Sequence, residues 1–212
     1  VQKLFIYYVF FQNFVYYYLY SYAIPAVSCH KHNEMQNKSV NSIKSKILIM
    51  DNSKKLYIIR HAKAETIPGI NDFDRALTSE GIQHAKQVAE KLASKLTLNE
   101  NSVVISSPAN RAVQTARVFL DVMGSPQFDI QLEESIYECT YKHLLSVINT
   151  IPDHIDHVLL FGHNPTLTDL VEYLTRKSAY LRTSSFAEVK LDAGFTFQML
   201  SGNCADLVQI VD

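Results

Sequence analysis

The chain has 212 residues, 47% of them hydrophobic and 19% charged, with a formal net charge of −1. Such a composition excludes a wholly disordered chain, and a balance this close to neutral gives no electrostatic footprint for nucleic acid. Three cysteines, Cys29, Cys139 and Cys204, are too few and too far apart for a disulfide scaffold or a zinc site.

Residues 1–49 differ from the rest of the chain. Seven of the twelve tyrosines fall there, at Tyr7, Tyr8, Tyr16, Tyr17, Tyr18, Tyr20 and Tyr22. Residues 4–27 hold no formal charge. Five lysines against one glutamate give the stretch +4, which leaves −5 for residues 50–212. We read 1–49 as an aromatic-rich N-terminal extension. Tyr, Phe, Ile, Asn and Lys are what an AT-rich non-coding stretch yields on translation, so the favoured reading is a start assigned ahead of the true one at Met50. A signal or anchor over residues 1–28 is the alternative, because an uncharged run of that length can cross a bilayer. Residues 50–212 then form one domain, expected in the cytoplasm. A membrane is a partner only if the extension is real.

The remaining sequence alternates between strand and helix patterns. Residues 56–59 form a short apolar run, read as a buried strand. Over 78–96 the apolar residues Ile82, Ala85, Ala89, Leu92 and Leu96 recur at helical spacing, with Thr78 or Ser79 as N-cap. A second buried strand is predicted at 103–105, and a helix from Pro108 to about Met123, stopped by Gly124. A short strand at 128–132, a helix at 141–151, a strand at 158–161 and a helix at 165–174 come next. The tail from 186 to 211 reads as two or three strands, with a turn at 192–194. Apolar strands alternating with helices predict an α/β fold with a mostly parallel, mixed sheet covered on both faces.

Ligands of open α/β sheets bind beyond the carboxyl ends of the strands. There the sequence places Arg60 and His61, then Ser106, Ser107, Pro108 and Arg111, then Gly162, His163, Asn164 and Pro165. Ser107-Pro108 and Asn164-Pro165 each read as an N-cap followed by proline at the first helical position. Free N–H groups at a helix start favour an anion, and arginine suits a phosphate. A phosphate pocket of Arg60, His61, Ser107, Arg111, His163 and Asn164 is the economical inference. A neutral imidazole beside arginines can attack a held phosphoryl group, which makes His61 the candidate nucleophile and leaves His163 to stabilise charge.

These residues also resemble a family. Leu56 to Ala62 resembles the RHG signature of the histidine phosphatase (phosphoglycerate mutase-like) superfamily. Ala62 replaces the glycine, a variant common in the SixA-type phosphohistidine phosphatase branch. Asp74 to Gly81 is similar to the family's DRxLTxxG helix entry. Ser106 to Ala116 is similar to its SSPxxRAxQTA block, and Gly162 to Leu167 to its GHNP block. The resemblance implies a three-layer α/β/α fold, phosphorylation of His61, and Arg60, Arg111 and His163 around the phosphate. It implies no metal and no organic cofactor.

Larger members protonate the leaving group with a carboxylic acid placed after the third strand. Glu134 fits that position best, Glu138 second. SixA-type proteins often lack a clear acid, which an imidazole leaving group would tolerate. The expected activity is hydrolysis of a phosphorylated protein or a small phosphorylated molecule. A phosphate-binding module without turnover and a phosphomutase are the alternatives. His84, His143, His154 and His157 read as surface or capping groups. Asp72, Asp74 and Arg75 read as fixing a loop, and Thr183, Ser184 and Ser185 as turn residues.

Overall fold

The computed structural model describes residues 54–212. The extension read at 1–49 lies outside the described residues. Among the described residues ten regular elements succeed one another: β1 Lys55–Arg60, α1 Ser79–Ala93, β2 Ser102–Ser106, α2 Asn110–Val122, β3 Gln131–Leu132, α3 Tyr141–Ile148, β4 His157–Gly162, α4 Thr166–Thr175, β5 Phe186–Leu191 and β6 Ala205–Val211.

The strands form one six-stranded sheet in the order β3-β2-β4-β1-β5-β6. β1 runs parallel to β4, and β2 parallel to β4 and β3. β5 is antiparallel to both β1 and β6. The sheet is therefore mixed, with its parallel part carrying the strand ends of interest. Alternation along each strand sends side chains to opposite faces. Tyr57, Ile59, Val104, Leu159 and Phe161 pack with Ala85, Val88 and Leu92 of α1 and Phe119 and Leu120 of α2. Leu56, Ile58, Ile105, Val158 and Leu160 pack on the other face with Leu144 and Ile148 of α3 and Leu167, Leu170 and Leu174 of α4. This is a three-layer α/β/α fold of the phosphoglycerate mutase-like type.

Several boundaries differ from the sequence expectations. α1 is capped by Thr78, whose hydroxyl accepts from Gly81 N at 3.0 Å, but it ends at Ala93 rather than Leu96. α2 does not begin at Pro108. Its N-cap is Ala109, without a side-chain cap bond. Ser107 N donates to Phe161 O at 3.0 Å, so its backbone still follows the path of the sheet, while its hydroxyl accepts from Ala109 N at 3.4 Å, before the first turn of α2. α4 likewise begins at Thr166, with Pro165 as N-cap after a cis Asn164-Pro165 bond. Asn164 is drawn elsewhere, donating from Nδ2 to Leu181 O at 2.9 Å. α3 stops at Ile148, and the side-chain amide of the following Asn149 donates to the carbonyls of Phe197 and Leu200. β5 and β6 are joined by residues 192–204, which open on the expected turn, with Phe195 N donating to Asp192 O at 3.0 Å, and include a 3-10 turn at Phe197–Met199. Among the described residues no helix is long and apolar enough to cross a membrane.

Candidate active site

The carboxyl ends of β1, β2 and β4 lie side by side, and the chain leaving each one carries a site residue. His61 follows β1. Its N–H donates to Gly162 O at 3.0 Å, and its carbonyl accepts from Ser184 N at 3.2 Å, which fixes the backbone from both sides. Its Nδ1 lies 2.8 Å from Ala62 O. A carbonyl can only accept, so the proton sits on Nδ1 and Nε2 carries the lone pair. Arg111 Nε approaches that Nε2 at 3.3 Å. Ala62 is fully buried, and its N–H donates to Thr115 Oγ1 at 3.0 Å.

Arg60 closes β1. It gives one Nη1 bond to Leu181 O at 2.9 Å, while its buried Nε has no hydrogen-bond partner among the described residues. Arg111, in the first turn of α2, is 6% exposed, an unusual burial for arginine that calls for compensating partners. Asp72 supplies them. Arg111 Nη1 donates to the Asp72 carbonyl, and Nη2 donates to Asp72 Oδ2 at 2.8 Å. Arg75 Nη1 donates to the other oxygen, Oδ1, at 2.8 Å, and Tyr137 OH donates to Oδ2 at 3.0 Å. The bond from Arg75, then those from Tyr137 and Arg111, hold the Asp72 carboxyl down at about 2, so it is ionised at neutral pH.

His163 follows β4. Its ring centre is 5.0 Å from that of His61, and its Nε2 lies 2.9 Å from Ser107 Oγ. The Tyr137 ring meets it edge-on at 5.7 Å. Burial lowers both histidines, His61 to about 4 and His163 to about 3, with Arg111 and Arg60 pushing the same way. In His163 the neighbouring His61 ranks directly after burial. Both rings are neutral at physiological pH. Buried polar atoms without a protein partner cluster here: Arg60 Nε, His163 Nδ1, Asn164 Oδ1 and Ser184 Oγ. Native proteins rarely bury such groups unpaired, so a concentration of them marks a place made for a polar ligand.

A cavity of about 370 Å³ opens beside His163, with Arg111, Tyr137, Glu138, Cys139 and Asn164 among its walls. Arg60 and His61 do not line it, although Arg111 and His163, which do, adjoin His61. The structure thus brings Arg60, His61, Ser107, Arg111, His163 and Asn164 to one edge. Glu134 is exposed in the turn Glu134–Ile136 and does not line the cavity, whereas Glu138, held at φ +56°, does. Asp72 and Tyr137 are the site residues that sequence reasoning missed. Asp72, three residues before Arg75, is legible as a loop residue but not as the partner of Arg111. Among the described residues, no group of three or more His, Cys, Asp or Glu is arranged to hold a metal ion.

Comparison with known proteins agrees with this architecture. The profile described as "Histidine phosphatase superfamily (branch 1)" matches residues 56–156. Uncharacterized proteins from two strains of Mycobacterium tuberculosis are 31% identical over 113 residues, covering 53% of this chain and 66% of theirs. Among solved structures, a SixA phosphohistidine phosphatase candidate from Agrobacterium tumefaciens is similar at 25% identity and a TM-score of 0.62, over 75% of this chain and 97% of that one. Another from Nakamurella multipartitia aligns at 22% identity and a TM-score of 0.63, over 76% and 96%. The protein histidine phosphatase SixA in complex with tungstate aligns at 23% identity and a TM-score of 0.59, over 72% and 96%. With the motif blocks in order along the chain and the α/β/α sheet beneath them, residues 56–156 are similar to the histidine phosphatase superfamily.

Proposed function

We propose that the protein is a phosphatase that works through a phosphohistidine on His61 and needs neither metal nor organic cofactor. One observation carries the reading: Nδ1 of His61 is engaged by the Ala62 carbonyl, so the neutral ring offers its Nε2 lone pair beside the Arg111 guanidinium. In the first step Nε2 attacks phosphorus and the bond to the leaving group breaks, with the electron pair departing on that group. The phosphorylated ring becomes cationic, and its Nδ1–H bond to the Ala62 carbonyl spreads that charge. Arg60, Arg111 and His163 hold the equatorial oxygens, with Ser107 and Asn164 at the rim. In the second step water attacks phosphorus, the N–P bond breaks, and inorganic phosphate leaves. Glu138, at the cavity wall, is the carboxylate this reading assigns to assist a poor leaving group.

The substrate is a phosphohistidine protein or a small phosphorylated molecule. The likeness to structures described as SixA supports the first, and placement in the SixA-type branch is part of this proposal. The test compares an aryl phosphate with a phosphohistidine peptide, for wild type and His61→Ala, with and without chelator. Release that resists chelator and vanishes in His61→Ala is expected. Release by His61→Ala at the wild-type rate, or none from either substrate, overturns the reading in favour of a binding module.

A further inference from the structure

Asp72 reads in the sequence as a loop residue, yet its contacts converge on the most buried cation of the site. The Arg111 side chain is 7% exposed and that of Asp72 51%. A guanidinium is planar and carries its N–H donors in a fixed fork. One edge, shared by Nη1 and Nη2, ends the side chain. The other, shared by Nε and the remaining N–H of Nη2, lies along its flank. In this protein the end edge is taken by Asp72 alone, through its carbonyl and its Oδ2. The flank turns to His61, with Nε 3.3 Å from Nε2. With the end edge occupied, the guanidinium cannot rotate about its long axis without giving up both bonds.

Asp72 is itself held. Arg75 takes Oδ1, and Tyr137 donates to Oδ2 from the segment between β3 and α3. Tyr137 is packed edge-on against both Phe73 and His163, at 5.3 and 5.7 Å. The loop before α1, the start of α2 and the turn after β3 therefore meet at one carboxylate.

We propose that Asp72 is the positioning residue for Arg111: by occupying the end edge, it presents the flank edge to two oxygens of a phosphoryl group held at His61 Nε2. This rests on the reading of His61 as nucleophile. Asp72 itself touches no reacting atom. Its carboxylate faces the guanidinium from the side away from His61, so it orients the cation without competing with the ligand for the same edge.

The test is a mutant cycle read in two ways, by tungstate affinity from calorimetry and by aryl phosphate kcat/KM. The proteins are wild type, Asp72→Ala, Arg111→Ala and the double variant, with Arg111→Lys replacing Arg111→Ala should that variant not fold. Asp72→Ala is expected to weaken both readouts by about tenfold to a hundredfold, the usual scale for a hydrogen bond to a charged group. In the Arg111 variant the same change is expected to add less than about twofold, because nothing is left to position. Asp72→Asn keeps one side-chain acceptor oxygen for Arg111 Nη2, while its amide nitrogen faces Arg75 and the charge is lost, so it is expected to recover part of the loss. Losses that multiply in the double variant show a merely structural role and overturn the proposal, as does Asp72→Ala within about twofold of wild type. Tungstate binding needs no turnover. A protein that hydrolyses nothing but shows the cycle in tungstate affinity would sink the phosphatase reading and leave the role of Asp72 standing.

Discussion

The proton on His61 Nδ1 is held by the Ala62 carbonyl at 2.8 Å, and burial keeps the ring from taking a second one until about pH 4. The acid limb of kcat/KM that belongs to His61 is therefore expected near pH 4, and a limb near the ordinary 6.5 would contradict a buried nucleophile. The same lowering sets a stability window. Between pH 6.5 and about 4, an unfolded histidine takes up a proton that folded His61 refuses, and His163 extends the window to about 3. Their stabilisation is complete above 6.5 and declines as the pH falls. Urea unfolding in phosphate-free buffer should show a lower free energy at about pH 5 than at about pH 7, and replacing both histidines by Gln should flatten that difference. Arg60, His61 and His163 are legible in the sequence because each sits in or just after a strand with a clear apolar pattern, and Arg111 because it opens the helix that follows one. Asp72 is not, since its partner lies in another element and the pairing exists only once β1 and α2 are packed. Glu138 rather than Glu134 lines the cavity for a similar reason: a left-handed backbone at a glutamate has no sequence signal. If Glu138 assists departure, Glu138→Gln slows aryl phosphate turnover more than phosphohistidine turnover, and Glu134→Gln changes neither.

The elements around His61 are locked by backbone contacts that the motif blocks encode. Thr78 donates from both N and Oγ1 to Lys63 O, and Ala64 pairs with Leu77 in an isolated bridge. Gly81 is glycine because a Cβ there would lie 2.2 Å from Lys63 O. Gly81→Ala must push the segment after His61 away from α1. Urea unfolding is expected to show a loss of about 1–3 kcal/mol, and kcat should fall with it. On α2, Thr115 accepts from the buried Ala62 N–H and donates to Arg111 O, while Gln114 Oε1 accepts from Leu77 N at 2.8 Å. Thr115→Val would strand the Ala62 N–H in the core, at a cost of about 1–3 kcal/mol by the same measurement. These helices are legible as amphipathic runs. Thr78 is legible as the cap of α1, but the starts of α2 and α4 are not: Ser107 and Asn164 look like caps, yet Ala109 and Pro165 take those places.

The whole sheet explains why the site lies where it does. β4 sits between β1 and β2, so the chain ends of three strands distant in sequence deliver His61, Ser107 and His163 to one edge. Composition and alternation make the α/β class and the mixed sheet legible. Strand order is not, because buried apolar strands such as 56–59 and 158–161 are interchangeable by pattern alone. β1 and β4 are flanked on both sides, whereas β3 is an edge of two exposed residues. Hydrogen exchange in the native state should be slowest in β1 and β4 and fast in β3. A phosphohistidine intermediate on His61 is tested most directly by rapid quenching of the enzyme with an aryl phosphate, then mass spectrometry under conditions that preserve phosphohistidine. One phosphoryl group on His61, absent from His61→Ala, is expected. Phosphate release at full rate with His61 never labelled, or a label on another residue, would contradict that intermediate.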